Sequence, residues 1–438
     1  MSDEILIQNL GEGRLSEIKE NKKALLIGCY SKSNLKDECH IHLEELHSLS
    51  DTYGIETIQT IPVHLRRFEP STFIGKGKVE EIENLIKEKD IGIVVFDDEI
   101  APHQQKNLEK AFKTVVIDRT ELILGVFAIH AKTKEAKLQI SLAGLKYQLP
   151  RLKRMWTHLS RQRVSGSSGG YLKGEGEKQI EIDRQIVKDK IAKLQKKLED
   201  VKKQRAIQRQ QRYKTNIPTF AIIGYTNVGK STLLNALTGA GVLVEDKLFA
   251  TLDTTTRKYT LPNNQKVLLI DTVGFIRKIP HQLVAAFKST LEESTFSDIL
   301  IHLIDISNPE AIHQAEDSIE VLKELKADEK PIITVFNKID EVEDRSNILK
   351  LKLKYPKTVE ISALKKIGFD DLFSLMIEEI KKLRKTFKLK IPQSHYALVS
   401  KIMKEGRIIE QEYEDNYIVL EAEIPTSLEK DVEEFKLL

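Results

Sequence analysis

The sequence predicts a multidomain α/β protein, because two regions alternate strand and helix patterns and a stretch of heptads lies between them. In the first region, three apolar strand patterns separated by helical patterns predict a small parallel α/β domain over residues 23–130. Five later strand patterns, again alternating with helices, predict a doubly wound parallel sheet over residues 217–384. Residues 385–438 follow the order β-α-β-β-α, which predicts a small α+β module.

Two heptad runs flank a glycine-rich stretch between the two predicted domains. Their apolar positions alternate by three and four residues and comprise Leu138, Leu142, Leu145, Leu149 and Leu152 in the first run and Val187, Ile191, Leu194, Leu198 and Val201 in the second. Such paired heptads predict an antiparallel helical hairpin over residues 131–215, connected by a loop at 163–176. Residues 1–22 are assigned to an N-terminal tail.

The bulk composition limits the class of protein but does not identify a partner. The 438 residues include 69 Lys and Arg against 66 Asp and Glu, a net charge of +3, so any basic surface must be local. Two cysteines, Cys29 and Cys39, are too few for a disulfide framework and fit a reducing compartment. No secretory signal pattern or membrane-length apolar run occurs. We therefore expect a cytoplasmic monomer without an integral membrane segment.

The stretch GYTNVGKST, residues 224–232, follows a strand pattern and opens a helical one, which is the context of a phosphate-binding loop. Gly224 and Gly229 let backbone N–H groups approach phosphates, Lys230 brings a positive charge to the β- and γ-phosphates, and Ser231 offers a hydroxyl to Mg²⁺. A chance glycine turn has little weight, because strand, loop and helix stand in the required order. The other predicted contacts of this loop are Tyr225, Thr226, Asn227 and Val228.

Three further motifs follow in the order typical of a guanine-nucleotide site. In DTVG, Asp271 can hold Mg²⁺ through water and the Gly274 amide can sense the γ-phosphate. In NKID, Asp340 can accept two hydrogen bonds from the guanine edge, while Asn337 meets the opposite edge. With SAL at 362–364, these motifs predict a GTP site in a Ras-like P-loop GTPase domain. The remaining predicted contacts are Thr272, Val273, Lys338, Ile339, Ser362, Ala363 and Leu364.

The first switch belongs between the phosphate loop and Asp271, where the sequence reads LFATLDTTTR at 248–257. Spacing alone does not choose its Mg²⁺-binding threonine among Thr251 and Thr254–Thr256. At the second switch, Phe275 stands where a Ras-like GTPase has the glutamine that orients the attacking water. Either the chain does not hydrolyse nucleotide, or another group positions the water; we expect the Phe275 ring to lie in apolar surroundings, away from the γ-phosphate.

Long stretches of the chain resemble the HflX GTPases, relatives of Era, Obg and TrmE. The resemblance rests on FIGKGKVEEI, HQQKNLEKAF, VIDRTELIL, KLQISLAGLKYQLPRLKRMWTHLSRQ, GEKQIEIDR, FATLDTTTR and DTVGFI. It implies a cytosolic, Mg²⁺-dependent GTPase that binds the large (50S) ribosomal subunit and splits stalled ribosomes. It also implies that Thr251 joins Ser231 as a Mg²⁺ ligand. First-switch nucleotide contacts are then expected at Phe249, Ala250, Thr251, Leu252 and Asp253.

The resemblance further implies that the hairpin loop reaches ribosomal RNA near the peptidyl-transferase centre. The loop region has suitable chemistry, with basic residues for phosphates and aromatic residues for base stacking: Arg151, Lys153, Arg154, Trp156, Arg161, Arg163, Tyr171 and Lys173. On composition alone, a flexible linker with incidental basic residues explains the loop equally well. The family resemblance favours RNA.

Catalysis is assigned to Lys230, Asn227, Thr251 and Gly274. Asn227 stands where potassium-stimulated relatives of the TrmE type place an asparagine, so K⁺ is a candidate cofactor beside Mg²⁺. The alternative is that Asn227 only braces the first switch. Two functions remain open at this point. One is a GTPase stimulated by the ribosome, and the other is an RNA-binding or scaffolding protein that binds GTP with negligible turnover.

Overall fold

The computed structural model describes residues 22–151, 173–213, 217–239, 248–249, 255–278, 295–342, 344–414, 416–425 and 428–437. Contacts divide the chain into two compact units. Unit 1 comprises Met1–Val201, Glu245–Asp253 and Lys278–Lys288, and unit 2 comprises Lys202–Val244, Thr254–Arg277 and Ser289–Leu438. The predicted multidomain α/β fold is confirmed. Among the described helices, none is long and apolar enough to cross a membrane.

Unit 1 is built on a four-stranded parallel sheet with the strand order β2-β1-β3-β4. Both faces of β3 are buried, as its uninterrupted apolar sequence IVVF requires. One face of the sheet contributes to a core of Leu25, Ile27, Val94, Phe96 and their neighbours. The elements are β1 (Lys23–Tyr30), α1 (Lys36–Tyr53), β2 (Glu56–His64), α2 (Lys76–Lys89), β3 (Ile93–Phe96), α3 (Pro102–Phe112), β4 (Val115–Asp118) and α4 (Arg119–His130).

Strand β2 is absent from the sequence prediction. It lies at the edge of the sheet, paired only with β1, and most of its residues are partly exposed. Its sequence ETIQTIPVH therefore lacks a continuous apolar run, and it contains Pro62. Proline is tolerated on an edge strand because no neighbouring strand needs its missing N–H.

The predicted heptad seam is confirmed within unit 1. Helices α5 (Lys134–Gln148) and α6 (Lys173–Tyr213) supply it, and the buried residues of the seam are Leu138, Leu142, Leu145, Val187, Leu194 and Leu198. Thr133 caps the N-terminus of α5, because its hydroxyl accepts a hydrogen bond from the Ala136 N–H. Most of the connecting segment lies outside the described residues.

Arg151, which we predicted to neutralise RNA phosphate, is a structural residue instead. It is only 7% exposed, and its guanidinium donates to the Tyr147 and Ile100 carbonyls at 3.1 and 3.0 Å and to the Asp118 carboxylate at 3.2 Å. With these partners the group has no accessible charge for a phosphate. The predicted RNA contacts Lys153, Arg154, Trp156, Arg161, Arg163 and Tyr171 lie outside the described residues, and Lys173 begins α6.

Unit 2 contains a six-stranded sheet with the strand order β10-β9-β8-β5-β7-β6. All of its pairs are parallel except β6 with β7, which is antiparallel. The five predicted strands are present, whereas the polar edge strand β6 (TTRKYT) is missed by the sequence pattern. The elements are β5 (Thr219–Gly224), α7 (Lys230–Thr238), β6 (Thr255–Thr260), β7 (Lys266–Asp271), β8 (Ile299–Asp305), α8 (Ala311–Glu324), β9 (Ile332–Asn337), α9 (Ser346–Lys354), β10 (Thr358–Glu360) and α10 (Phe369–Lys382).

A three-stranded antiparallel sheet completes unit 2, with the strand order β11-β13-β12. Alternate residues of β13, namely Ile418, Leu420, Ala422 and Ile424, are buried in its core. The β-α-β-β-α order predicted for the C-terminal segment is confirmed. Its elements are β11 (Arg384–Pro392), α11 (Tyr396–Glu405), β12 (Arg407–Glu414), β13 (Tyr417–Pro425) and the short α12 (Glu429–Val432).

Candidate nucleotide-binding site

The predicted phosphate loop connects the carboxyl end of β5 to the first residue of α7. Gly224 and Gly229 both have positive φ angles, 150° and 90°. A Cβ atom on Gly224 would collide with the Leu303 carbonyl oxygen, and one on Gly229 would lie 2.5 Å from Asn337 Nδ2. Both positions therefore require glycine for conformation and for space. Asn227 also has a positive φ, 61°, and its side chain is exposed, whereas Val228 is buried.

Lys230 is folded into this loop. Its ammonium donates to the Tyr225 carbonyl at 2.6 Å and to the Gly224 carbonyl at 3.3 Å. Burial lowers its pKa to about 8, against the opposing attraction of the Asp271 carboxylate. The two carbonyl oxygens stand where phosphate oxygens could take over the same hydrogen bonds, so the loop can accept a phosphate with its cation already in place.

The predicted Mg²⁺ residues Ser231 and Asp271 are brought together across α7 and β7. The Ser231 hydroxyl donates to Asp271 Oδ2 at 2.7 Å, and Asp271 is fully buried at the end of β7. A hydroxyl and a carboxylate are the hard oxygen ligands that Mg²⁺ prefers, so these residues fit the ion. Thr272 beside them is engaged differently, because its hydroxyl donates to the Ile222 carbonyl at 2.7 Å.

The second-switch segment lies directly on the phosphate loop. A Cβ atom on Gly274 would lie 2.8 Å from Lys230 Nζ and 2.9 Å from both Cα and Cγ2 of Thr226. Phe275 anchors the segment, because its N–H donates to the Gly224 carbonyl at 3.0 Å and its carbonyl accepts from the Thr226 N–H at 2.7 Å. Val273 is buried. The Phe275 ring is 1% exposed, so its expected burial is confirmed.

Asn337 ties three loops together at the predicted guanine end of the site. Its Nδ2 donates to the Val228 carbonyl at 2.8 Å, and its Oδ1 accepts from the Ala363 N–H at 2.9 Å. The NKID motif is thereby joined to the phosphate loop and to the SAL motif. Ser362 is buried, Ile339 donates its N–H to the Ile361 carbonyl at 3.3 Å, and Leu364 is exposed.

Asp340, the predicted guanine acceptor, is held ionised by its neighbours. A hydrogen bond from the Ser362 hydroxyl is the main cause that lowers its pKa, and Lys365 contributes with its ammonium 3.3 Å away. Lys338 has a positive φ of 62° and pairs with Asp305 at 2.7 Å. Asp305 and Lys365 were missed in the sequence. The position of Asp305 at the end of the apolar strand ILIHLID, on the same sheet edge, could have revealed it.

The first switch is described only at Leu248 and Phe249, which belong to unit 1. The Phe249 ring meets the Phe127 ring edge-on with a centroid distance of 4.5 Å, and the Leu248 N–H donates to the Thr52 hydroxyl at 3.2 Å. The remaining predicted contacts, Ala250, Thr251, Leu252 and Asp253, lie outside the described residues, so their roles stay predictions.

Comparisons with known proteins agree with this site. Family models match residues 40–128, described as "GTP-binding GTPase N-terminal", residues 130–212, described as "GTP-binding GTPase Middle Region", and residues 219–338, described as "50S ribosome-binding GTPase". The "GTPase HflX" of Chlamydia pneumoniae is 47% identical over 418 residues, covering 95% of this chain and 89% of that protein. The "GTPase HflX" of Escherichia coli is 40% identical over 386 residues, covering 87% and 89%.

A crystal structure of a GTP-binding protein from Sulfolobus solfataricus in complex with GDP aligns with a TM-score of 0.44 at 29% identity, covering 83% of this chain and 99% of that one. The sequence relatives alone decide the family, because their identity extends over most of both chains. The motif resemblance is thereby confirmed. The chain belongs to the HflX family of GTPases.

Proposed function

We propose that the protein hydrolyses GTP as a switch that binds the large ribosomal subunit in its GTP form. The observation that carries the proposal is Asn337, which connects the phosphate loop, NKID and SAL through its side-chain hydrogen bonds. Hydrogen bonds that join these loops lower the ordering cost of binding a ligand there. The match of residues 219–338 to a model described as a 50S ribosome-binding GTPase supports the choice of partner.

In this proposal each motif has one task. Phosphate oxygens replace the Gly224 and Tyr225 carbonyls as acceptors for Lys230, and the Gly274 amide meets the γ-phosphate. Asp340 accepts from the guanine edge. Ser231 ligates Mg²⁺, Asp271 holds it through water, and Thr251 is the further predicted ligand. The ion supplies charge neutralisation for the β- and γ-phosphates.

The proposed RNA contact is the hairpin loop at 163–176, which follows a helix anchored in unit 1. Arg151 holds the end of α5 to Asp118 and to the Ile100 carbonyl, so the loop is attached to a fixed base. Arg161 before the loop, Arg163 within it and Lys173, which begins α6, then meet phosphates. The protein would act in the cytoplasm as a monomer, where the ribosome is available to it.

The test measures the rate at which the purified protein hydrolyses radiolabelled GTP, alone and with purified large subunits. We expect slow hydrolysis by the free protein and clear acceleration by the subunits. Turnover that is rapid in the free protein and unchanged by ribosomes contradicts the switch, and negligible turnover in both cases supports the scaffolding alternative.

The same assay tests whether hydrolysis uses a monovalent ion. K⁺ held by the exposed Asn227, phosphate oxygens and first-switch carbonyls would add transition-state charge stabilisation. Turnover in KCl should then exceed turnover in NaCl at the same ionic strength. Equal rates assign Asn227 to bracing the first switch.

A further inference from the structure

The buried Phe275 leaves the second switch without a side chain that can orient water. Its ring carries neither a donor nor an acceptor and is 1% exposed. The attacking water must nevertheless be fixed in line with the γ-phosphorus. A group elsewhere in the site must therefore contact it.

Thr226 of the phosphate loop carries a hydroxyl that the rest of the described chain does not satisfy. The residue is 7% exposed, and its Oγ1 is enclosed without a hydrogen-bond partner among the described residues. Enclosing an unpaired hydroxyl is energetically unfavourable, so such groups are rare and call for an explanation. A ligand that enters this loop and supplies the missing partner is such an explanation.

The position of Thr226 fits a partner at the γ-phosphate. Its Cα and Cγ2 and the Lys230 ammonium all lie within 2.9 Å of the point where a Gly274 side chain would begin. Gly274 and Lys230 are the two groups assigned to that phosphate. The Thr226 backbone is fixed by its N–H bond to the Phe275 carbonyl, and one rotamer step of about 120° about Cα–Cβ brings the hydroxyl to the position of the methyl group.

Three other hydroxyls around the loop are already engaged. Ser231 donates to Asp271, Thr272 donates to the Ile222 carbonyl, and the Tyr225 hydroxyl accepts from the Arg277 N–H at 2.6 Å. A hydroxyl provides one donor and two acceptor positions, so it can accept from water while it donates to a phosphate oxygen. The Thr226 hydroxyl, which is buried and has no partner among the described residues, has both capacities available.

We propose that Thr226 Oγ1 is a catalytic group that orients the attacking water in place of the missing glutamine. The inference rests on the proposed binding of GTP in this loop. The water oxygen forms a bond to the γ-phosphorus as the bond from that phosphorus to the β,γ-bridging oxygen breaks. The electron pair of the broken bond leaves on GDP, and the water proton ends on the released phosphate. Thr226 stays protonated throughout.

The test compares Thr226→Val, which keeps the shape and removes the hydroxyl, with Thr226→Ser, which keeps the hydroxyl. Single-turnover GTP hydrolysis is measured with enzyme in excess and without ribosomes, beside the Kd for GTP and the binding of GDP with aluminium fluoride. Thr226→Val should lose about 10²-fold in hydrolysis and lose aluminium fluoride binding, with a GTP Kd within about twofold of wild type. Thr226→Ser should keep most of the rate.

Thr238→Val is the matched control, because the Thr238 hydroxyl donates to the Leu234 carbonyl in α7 and faces no phosphate motif. It should hydrolyse GTP at the wild-type rate. If Thr226→Val binds and hydrolyses GTP like wild type, the inference is wrong while the proposed function stands. If wild type binds no GTP, the proposed function fails first. A Thr226→Val protein with a weakened GTP Kd and no specific loss of aluminium fluoride binding also overturns the catalytic role.

Discussion

Asn337 and Lys230 are two side chains that hold the loops of the nucleotide site together through hydrogen bonds. Asn337 uses both ends of its amide on backbone groups, and Lys230 uses its ammonium on two loop carbonyls. The Lys230 ammonium, which phosphate oxygens would engage, is therefore already hydrogen-bonded. Binding exchanges one set of partners for another, so the net free energy depends on the charge of the phosphates and the shape of the base.

Asp340 is the residue on which guanine selectivity depends. Asp340→Asn replaces an acceptor by a donor that faces the guanine donors, so we expect a loss of about 2–4 kcal/mol in GTP affinity. Xanthosine triphosphate has a carbonyl in place of the guanine amino group and should bind the variant better than GTP does. The measurement is the Kd for GTP, ATP and xanthosine triphosphate by calorimetry.

Asp328→Asn, at an exposed position in the same unit, is the control for the charge change and should leave GTP affinity unchanged. Wild-type protein that binds ATP at this loop as tightly as GTP would refute guanine selectivity.

At this scale the sequence predicts local chemistry well and remote partners poorly. The phosphate loop, DTVG and NKID can be predicted from the sequence, because the functional atoms of each motif are positioned by the backbone of that same short segment. Arg151 was misread because its partners Asp118 and Ile100 are far from it in the sequence. A basic residue beside a basic loop looks accessible until the fold supplies a buried carboxylate.

Among the elements, the strands differ in how clearly their apolar residues indicate burial. The central strands β5, β8 and β9 are continuous apolar runs and were predicted. The edge strands β2 and β6 have one neighbour each and alternate or lack apolar residues, so no pattern marked them. These two edge strands thus depend on the pairing that the rest of the sheet offers them.

Strand β8 contains an exception to its apolar run, His302. The residue is fully buried, its ring lies edge-on to Tyr355 with a centroid distance of 6.0 Å, and neither ring nitrogen has a partner in the described part of the chain. Burial lowers the pKa of His302 from 6.5 to about 4. The folded protein therefore keeps this ring neutral where the unfolded chain protonates it.

The consequence is a stability that depends on pH. Because the folded pKa is below the unfolded value, the contribution of His302 is complete above about pH 6.5 and is lost progressively as the pH falls to about 4. The loss should reach about 3 kcal/mol. His302→Leu removes the titration, so the wild-type curve should fall more steeply than the variant curve over this interval. Urea unfolding at several pH values measures both.

Parallel curves for the two proteins between these pH values would contradict the assignment. His313→Leu is a suitable control, because His313 is exposed on α8 beside Glu310. Its curve should follow that of wild type closely.

The whole molecule combines a preformed nucleotide frame in unit 2 with a hairpin anchored in unit 1. Two features of the sequence predicted these two parts. The motif order after residue 217 predicted the nucleotide site, and the heptads before it predicted the hairpin. The polar network that fixes the hairpin base was not predicted, since Tyr147, Asp118 and Arg151 meet only after α4 and α5 pack together. The network holds the end of α5 in addition to the apolar seam that Leu142 and Leu145 enter.

The proposed switch requires tighter binding to the large subunit with GTP than with GDP, because a nucleotide shifts an equilibrium only through differential affinity. Large subunits should therefore pellet more protein in the presence of a non-hydrolysable GTP analogue than with GDP. If the loop neutralises phosphates, the double variant Arg161→Ala, Arg163→Ala should raise the Kd of the GTP-bound protein for the large subunit about tenfold. The salt dependence of this binding should also decrease. Deletion of residues 163–176 should also abolish the stimulation of turnover.

The double variant Lys350→Ala, Lys366→Ala removes the same charge from exposed positions in unit 2 and should bind like wild type. Equal weakening by both double variants would mean that net charge, and not the loop, drives association. Equal affinity of the GTP and GDP forms would remove the switch itself, whatever the loop contributes. Retained stimulation after the deletion would leave the switch in place and move the ribosome contact to another surface. The loop and the nucleotide site are thus tested separately. The loop variants change the contact with the large subunit, and the choice of nucleotide changes whether the protein is in its GTP or its GDP form.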